Sequence, residues 1–428
     1  MKDGSRKTMS DMIVVGFTMF AIFFGAGNLI FPPYLGMLSG SKWFLGFLCF
    51  IIADAGLAMT TVVLMTRGDG SVYSIFGRLG KSRADLVAAV GMIVVGPIIC
   101  IPRTAATTYE MAAVPIVPQL PAFAFSLIFF AIVYLLTVRP SKVVDYIGKF
   151  LTPMLLLTLA VLFVKGIVTP IGAIRSSAIV DNVMKEGFMA GYQTMDVLGA
   201  MAITIILTSD TAKRGYDTVG KRMRIMIGAS VVATVGLFLV YCGLAYLGAT
   251  TSLMELGDIN QTGLVVLVTE LLLKRFGVVL LALIVFFACM TTAVGLVSAS
   301  AEYFTTLLRG RLSYRTLVLI MCLFGLVISN AGITTIINLA APMLDIIYPV
   351  MLTQIFLTLF NGVIKNDNVF KGAAVAALIV CTLSVAADLG LPVSFIRALP
   401  LSAVGFGWVL PSAAGGLIGA FIPDKKNA

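Results

Sequence analysis

The stretch "FFGAGNLIFPPY" occupies residues 23–34. It lies within an apolar run from Met12 to Leu38 that is long enough to cross a bilayer. Two glycines, an asparagine and a double proline stand in the middle of that run, where a regular helix has least use for them. Lipid offers no water to the N–H and C=O groups that a broken helix releases. Irregular backbone is tolerated at that depth only where protein encloses it or a watery cavity meets it. The stretch therefore reads as two half-helices meeting at a lined site. The rival reading is a small-residue packing notch followed by a proline kink.

Composition decides the surroundings. Of 428 residues, 59% are hydrophobic and 12% charged, with a mean hydropathy of +1.05. A soluble domain carries roughly a quarter charged residues, so a soluble protein is excluded. Apolar stretches of spanning length fall near 12–38, 43–66, 85–112, 121–138, 146–168, 187–208, 225–247, 277–305, 313–329, 340–361, 372–390 and 403–422. This is an all-α integral membrane protein of about twelve transmembrane helices.

The net charge of +10 invites a nucleic-acid reading, which its placement removes. With a cytoplasmic N-terminus, only Lys42, Lys165, Arg175, Lys185, Lys274, Arg275 and Arg397 lie outside. Arg103 sits within a span, and the other 22 of the 30 basic residues face the cytoplasm. The positive-inside rule then puts both termini in the cytoplasm. The partners this implies are the lipid bilayer and small molecules, not nucleic acid. All six cysteines fall inside apolar spans without a C-x-x-C spacing, and histidine is absent. No disulfide framework, zinc site or cofactor is expected. The basic start resembles a signal peptide, but the apolar run continues into the broken motif, so the first span is expected to stay.

A second broken span follows. In "GFMAGYQTMDVLGAMAITIIL", Gly191, Tyr192, Gln193, Thr194 and Asp196 interrupt the sixth apolar stretch. Five spans separate the starts of the first and sixth, so the second unit enters the membrane from the opposite side. Interrupted helices at matching places in two inverted repeats point to a transporter's central site. The expected organisation is a first five-helix repeat over 1–168, an inverted second over 187–361, and two further helices with a tail over 370–428. The longest loop, about 248–276, reads either as a cap on the outer vestibule or as a plain connector.

The ordered set "FGAGNLIFPP" (24–33), "GPIICIPRTAATTYE" (96–110), "GYQTMDVLGAM" (191–201), "ACMTTAVGL" (288–296), "AEYF" (301–304), "SYRTL" (313–317) and "SNAGITTIINLAAPMLDIIYP" (329–349) closely resembles the bacterial branched-chain amino acid:cation symporters. These are the system II carriers for leucine, isoleucine and valine, within the amino acid–polyamine–cation superfamily. The resemblance covers essentially the whole chain. It implies the leucine-transporter fold, with a 5+5 inverted repeat and two additional helices, in a bacterial cell membrane.

The resemblance also implies roles. Gly25, Ala26, Gly27 and Asn28 would offer backbone N–H groups to a substrate carboxylate. Ala21 and Phe24 would give carbonyls to a cation, and Ala288-x-x-Thr291-Thr292 would complete its shell. Oxygen ligands of this kind suit a small hard cation. Asp196, a charge at the depth where substrate should sit, is read as receiving the substrate ammonium or orienting the unwound backbone, the rival being a pair with a structural cation; Tyr192 and Thr194 stand beside it, with Thr107 as a further carboxylate contact. Phe24, Tyr192 and Val197 are candidates for the side-chain pocket. Arg103 and Glu110 share the third span but stand ~10 Å apart, so each needs a partner elsewhere, expected as gating or scaffold ion pairs. Thr291, Ser298 and Glu302 share one helical face, either lining an exit path or ending at the interface. Asp54, Asp345 and Asp388 receive no role.

Sodium is the expected coupling ion, because the core of the fifth span, "FLTPMLLLTLAVLFV" (150–164), lacks the lysine that replaces it in proton-coupled members of the superfamily. Lys149 at its edge keeps the proton alternative open. An ion channel is the rival class, although channels usually assemble rings from several subunits. An enzyme is not expected. "GYDTVGKR" (215–222) has phosphate-loop spacing but ends in Arg222 rather than Ser or Thr, and no strand precedes it.

Overall fold

The computed structural model describes residues 2–139 and 147–423, with side chains from Thr8 onward. Among the basic residues used for orientation, Lys142, Lys425 and Lys426 lie outside the described residues, as do the side chains of Lys2, Arg6 and Lys7. The described chain is 81% helix and contains no strand. The first span divides into α1 (Lys2–Phe23) and α2 (Ala26–Ser39), and the second into α3 (Trp43–Ile51) and α4 (Leu57–Arg67). The third comprises α5 (Lys81–Ile93) and α6 (Cys100–Thr108), followed by α7 (Ala122–Thr137) and α8 (Thr152–Val168). The sixth divides into α9 (Val183–Thr194) and α10 (Asp196–Lys213). Then come α11 (Val219–Ala249), α12 (Gln261–Leu307), α13 (Tyr314–Ser329), α14 (Ile333–Leu359), α15 (Asp367–Asp388) and α16 (Val409–Phe421). Among the described residues, eight helical stretches are long and apolar enough to cross a membrane, and four shorter apolar helices accompany them.

Several spans start at a polar side chain that takes a backbone N–H of the first turn. Asn182, Thr218, Asn260, Ser313 and Asn366 do so for α9, α11, α12, α13 and α15. Such caps fix where a helix begins and satisfy donors that would otherwise be stranded. The two starts inside broken spans differ. Gly25 before α2 and Met195 before α10 carry no side-chain cap.

Packing draws the broken spans together. α1 and α2 lie against α11, α9 against α3, and α10 against α4 and α12. α12 also touches α1, α2 and α6, so it faces both breaks. Gly191 permits the α9–α3 approach, since a Cβ there would stand 3.0 Å from Phe50 O of α3 and 2.7 Å from Ala53 Cβ just beyond it.

α2 runs as one helix through Pro32 and Pro33. One local feature departs from the sequence reading. The loop near 248–276 is more than a connector. Its apolar second part forms a helix that joins α12 across a kink at Lys274, where φ is 53°.

Candidate functional site

At the first break, Gly25 is extended (φ −108°, ψ −161°). Leu29 N–H finds Gly25 O at 3.1 Å, so the N–H groups before it in α2 precede the helical hydrogen-bond ladder. They present the positive end of the half-helix dipole. Upstream, the carbonyls of Ala21 and Ile22 turn to α12. Thr291 Oγ1 lies 2.7 Å from Ala21 O and 2.9 Å from Ala288 O, and Thr292 Oγ1 donates to Ile22 O at 2.8 Å. Only glycine fits at 25, because a Cβ there would stand 2.7 Å from Thr292 Oγ1. Phe24 stacks its ring on Phe20 and Tyr241. Among the described residues its carbonyl accepts no hydrogen bond.

The second break is a single residue. Met195 adopts φ 71°, a left-handed conformation that ends α9 and starts α10. Arg103 of α6 holds the end of α9, with Nη1 donating to Gln193 O at 2.8 Å and Nη2 to Thr194 O at 3.1 Å. The Tyr348 hydroxyl of α14 accepts the Val197 N–H at 3.2 Å, supplying the cap that the sequence around Met195 lacks.

A buried polar cluster joins the breaks. Asn28 Nδ2 lies 2.9 Å from Asp196 Oδ2, 2.5 Å from Tyr241 Oη and 3.4 Å from each oxygen of Asp54. Thr194 Oγ1 donates to Asp54 Oδ1 at 2.6 Å. Asp54 occupies a π-helical turn, Ile52–Gly56, between α3 and α4. Such one-residue bulges shift a helix face and recur at functional sites.

Between these groups lies a small enclosed cavity of about 10 Å³, no more than a single water could use. Gly25, Ala26, Asn28, Thr194, Asp196 and Thr292 are in its wall, with Arg103 and the apolar Ile22, Phe23, Val95, Ile203 and Leu296. Gly27 lies beneath the Arg103 guanidinium, and Thr291 and Ala288 lie one layer back with Ala21. Two named residues stand apart from the wall. Tyr192 packs against Tyr348 at a tilt and edge-on to Phe406, with centroids 5.1 and 6.3 Å away. Thr107 is buried one turn beyond Arg103, with Oγ1 lacking a hydrogen-bond partner. Phe23, rather than Phe24, supplies the aromatic wall, and Val197 is engaged through its backbone.

The ion pairs expected for Arg103 and Glu110 are not formed among the described residues. Arg103 binds carbonyls, and Glu110 accepts the Ile333 N–H at 3.1 Å at the start of α14. Ser298 bonds the Tyr314 hydroxyl at 2.8 Å. Glu302, farther along the same face, lines a cavity of about 490 Å³ with Asp69, Lys81, Asp85, Arg222 and Arg309. In the loop bordering that cavity, Asp69 accepts from Ser71 and Ser74. Partial burial pushes its carboxyl upward, and those hydrogen bonds outweigh the push and hold it below the ordinary value.

Ile22, Asp54, Arg103, Tyr241 and Tyr348 thus belong to the neighbourhood of the breaks without having been assigned to it from sequence. Asp54 and Arg103 carried a usable signal, being charges inside apolar spans. Tyr241 and Tyr348 carried almost none.

Residues 8–426 match the model of a family described as "Branched-chain amino acid transport protein". The chain is 36% identical to the "Branched-chain amino acid transport system 2 carrier protein" of Pseudomonas aeruginosa over 412 residues, covering 94% of this chain and 93% of that one. It is 35% identical, with the same coverages, to the "Branched-chain amino acid permease BrnQ" of Escherichia coli K12. Among solved structures it resembles a substrate-bound, outward-open Na+-coupled sialic acid symporter, with a TM-score of 0.65 and 14% identity over 97% of this chain and 90% of that one. That likeness shows a shared leucine-transporter-type fold. The chain is a multi-pass membrane protein and belongs to the branched-chain amino acid transport family, whose named relatives are carriers and permeases rather than enzymes.

Proposed function

We propose that this protein imports leucine, isoleucine and valine across a bacterial cell membrane by symport with sodium. The observation that carries the reading is the meeting of Thr291 and Thr292 with the last-turn carbonyls of Ala21 and Ile22 beside Gly25. Carbonyl and hydroxyl oxygens, without a carboxylate or sulfur, suit a small hard monocation carried as cargo. Ala21, Ala288, Thr291 and Thr292 would surround it, with the Phe24 carbonyl as a further ligand. The ion then stabilises the break whose other side faces the substrate.

The amino acid would bind between the two breaks. The N–H groups of Ala26, Gly27 and Asn28 would meet its carboxylate, joined by that of Gly25 on release from Phe23 O, to which it donates here at 2.8 Å, and Asp196 with Thr194 would meet its ammonium. The apolar wall of Ile22, Phe23, Val95, Ile203 and Leu296 supplies surroundings for a branched side chain. One methylene is worth ~1–3 kcal/mol in such a pocket, so a single carrier accepting all three substrates is physically expected. The relatives' names as branched-chain carriers support the substrate class.

A cavity of about 10 Å³ does not hold leucine, so binding requires the site to open. Alternating access follows, with the five-helix units 1–168 and 187–361 inverted about the site and both termini cytoplasmic. Release would pass Ser298 and Glu302 into the 490 Å³ cavity. Thr107 and Tyr192, outside the wall here, would join the site only in an opened arrangement.

Proton coupling is the second reading. The buried Asp54 and Asp196, in contact with each other and both bonded to Asn28, favour it, and Lys149 stands exposed before α8. Purified protein in sealed liposomes separates the two. Accumulation of labelled leucine under an inward sodium gradient, saturable and competed by valine, is expected. Accumulation under a proton gradient alone would move coupling to the carboxyls, and non-saturable flux would return the channel reading.

A further inference from the structure

Arg103 presents an unbalanced charge. Its side chain is 2% exposed and ranks among the largest fully buried ones in the protein. Among the described residues it forms no ion pair. Its hydrogen bonds go to the carbonyls of Gln193 and Thr194, with Nη2 also 3.9 Å from Cys100 Sγ, and Nε has no partner. The end of α9 offers at most about half an elementary charge through its dipole. A buried guanidinium, which cannot shed its proton, requires an anion nearby. The nearby carboxyls are committed elsewhere, Asp54 and Asp196 bonding Asn28 and, for Asp54, Thr194.

The geometry also says where an anion would arrive. Arg103 lines the same cavity as Gly25, Ala26 and Asn28. A Cβ on Gly27 would stand 2.8 Å from Nη2, so the guanidinium lies directly over the start of α2. The uncapped N–H groups of a 14-residue helix and the Nη2 end of the guanidinium therefore converge on one small space, while Nε of the same group has no partner among the described residues. The same wall carries Asp196, bonded to the Asn28 side chain at 2.9 Å, so the cavity offers groups of both signs.

We infer that Arg103 is the counter-ion of the transported amino acid's α-carboxylate, received jointly with the N–H groups at the start of α2. This rests on the amino-acid transport reading above and deepens it. The substrate class narrows to amino acids with a free carboxylate, and amides, esters and amines with the same side chain are rejected. Glycine at 27 is required because any side chain would occupy the space between the guanidinium and the helix start.

The test uses full-length protein in liposomes, as wild type, Arg103→Gln and Arg103→Lys, with labelled leucine as substrate and unlabelled leucine or leucinamide as competitor. In Arg103→Gln the KM for leucine should rise by about 10- to 100-fold, the worth of a charge-assisted hydrogen bond. The preference for leucine over leucinamide should shrink by a similar factor. Arg103→Lys should fall between, since it keeps the charge and loses the planar fork. A variant whose maximal rate drops while its KM and leucine-to-leucinamide preference stay those of the wild type would overturn the inference, leaving Arg103 as a strap on α9. If Arg103→Gln fails to fold, the same preference measured in Arg103→Lys decides, an unchanged value counting against. Wild-type protein that accumulates no leucine would instead overturn the transport reading, and this inference with it.

Discussion

The hydroxyl of Thr291 lies 2.7 Å from the carbonyl of Ala21, a residue 270 positions earlier in the chain. That contact joins the intact eighth span to the broken first, and Thr292 repeats it at Ile22. Thr291→Val or Thr292→Val keeps the β-branched shape and removes the oxygen. Each should raise the sodium concentration needed for half-maximal leucine uptake by about tenfold or more, roughly 1.5 kcal/mol for a hydrogen bond to a charged partner. Leucine uptake measured against sodium concentration checks this. Unchanged sodium dependence in both variants would place the ion elsewhere.

Asp54 accepts from Thr194 and faces Asn28, while the Thr194 hydroxyl also reaches Gly191 O of its own helix at 2.6 Å. Asp54→Asn turns an amide donor toward groups that are themselves donors, a mismatch costing about 1–3 kcal/mol. The variant should unfold at lower temperature in detergent and transport leucine at least several-fold more slowly. Wild-type behaviour in both assays would make Asp54 a bystander.

Tyr348 provides the acceptor for Val197 N–H at the start of α10. Tyr348→Phe removes one oxygen and leaves the ring packed against Tyr192. The stranded N–H should cost about 1–3 kcal/mol, seen as a lower denaturation temperature. Excess leucine should restore part of the loss by binding the folded state. A variant as stable as the wild type would show that the hydroxyl does not cap α10.

The loop at Asp69 gives a pH signature outside the membrane spans. Its folded carboxyl titrates below the ordinary value, so its contribution is present above the unfolded pKa and is lost as pH falls through the folded one. Proteolysis at the 68–72 turn should therefore accelerate as the medium is acidified. Asp69→Asn should show fast cleavage at neutral pH and no further acid-dependent step. An acid step that survives in Asp69→Asn would assign it to another group.

Much of this site was legible because lipid makes polarity conspicuous. Gly25, Asn28, Thr194 and Asp196 interrupt apolar runs, and a solvent without hydrogen bonds leaves few reasons for such residues. Orientation was not legible to the same degree. Tyr192 and Thr194 are two residues apart, about 200° around a helix, so only one faces the cavity. Nothing in their local sequence says which. Phe23 and Phe24 pose the same choice, and packing of Phe24 on Phe20 and Tyr241 settles it.

By itself, the sequence determined a multi-span helical protein, the positions of its two breaks and the hydroxyl pair of the eighth span, since these follow from hydrophobicity and residue type along one dimension. Tertiary structure decided which distant groups complete the breaks. Arg103 meets Gln193 across 90 positions, Tyr348 meets Val197 across 151, and a π-helical turn brings Asp54 to Asn28. Each depends on how whole helices rotate and cross, and that is fixed by the summed packing of their faces rather than by any local motif.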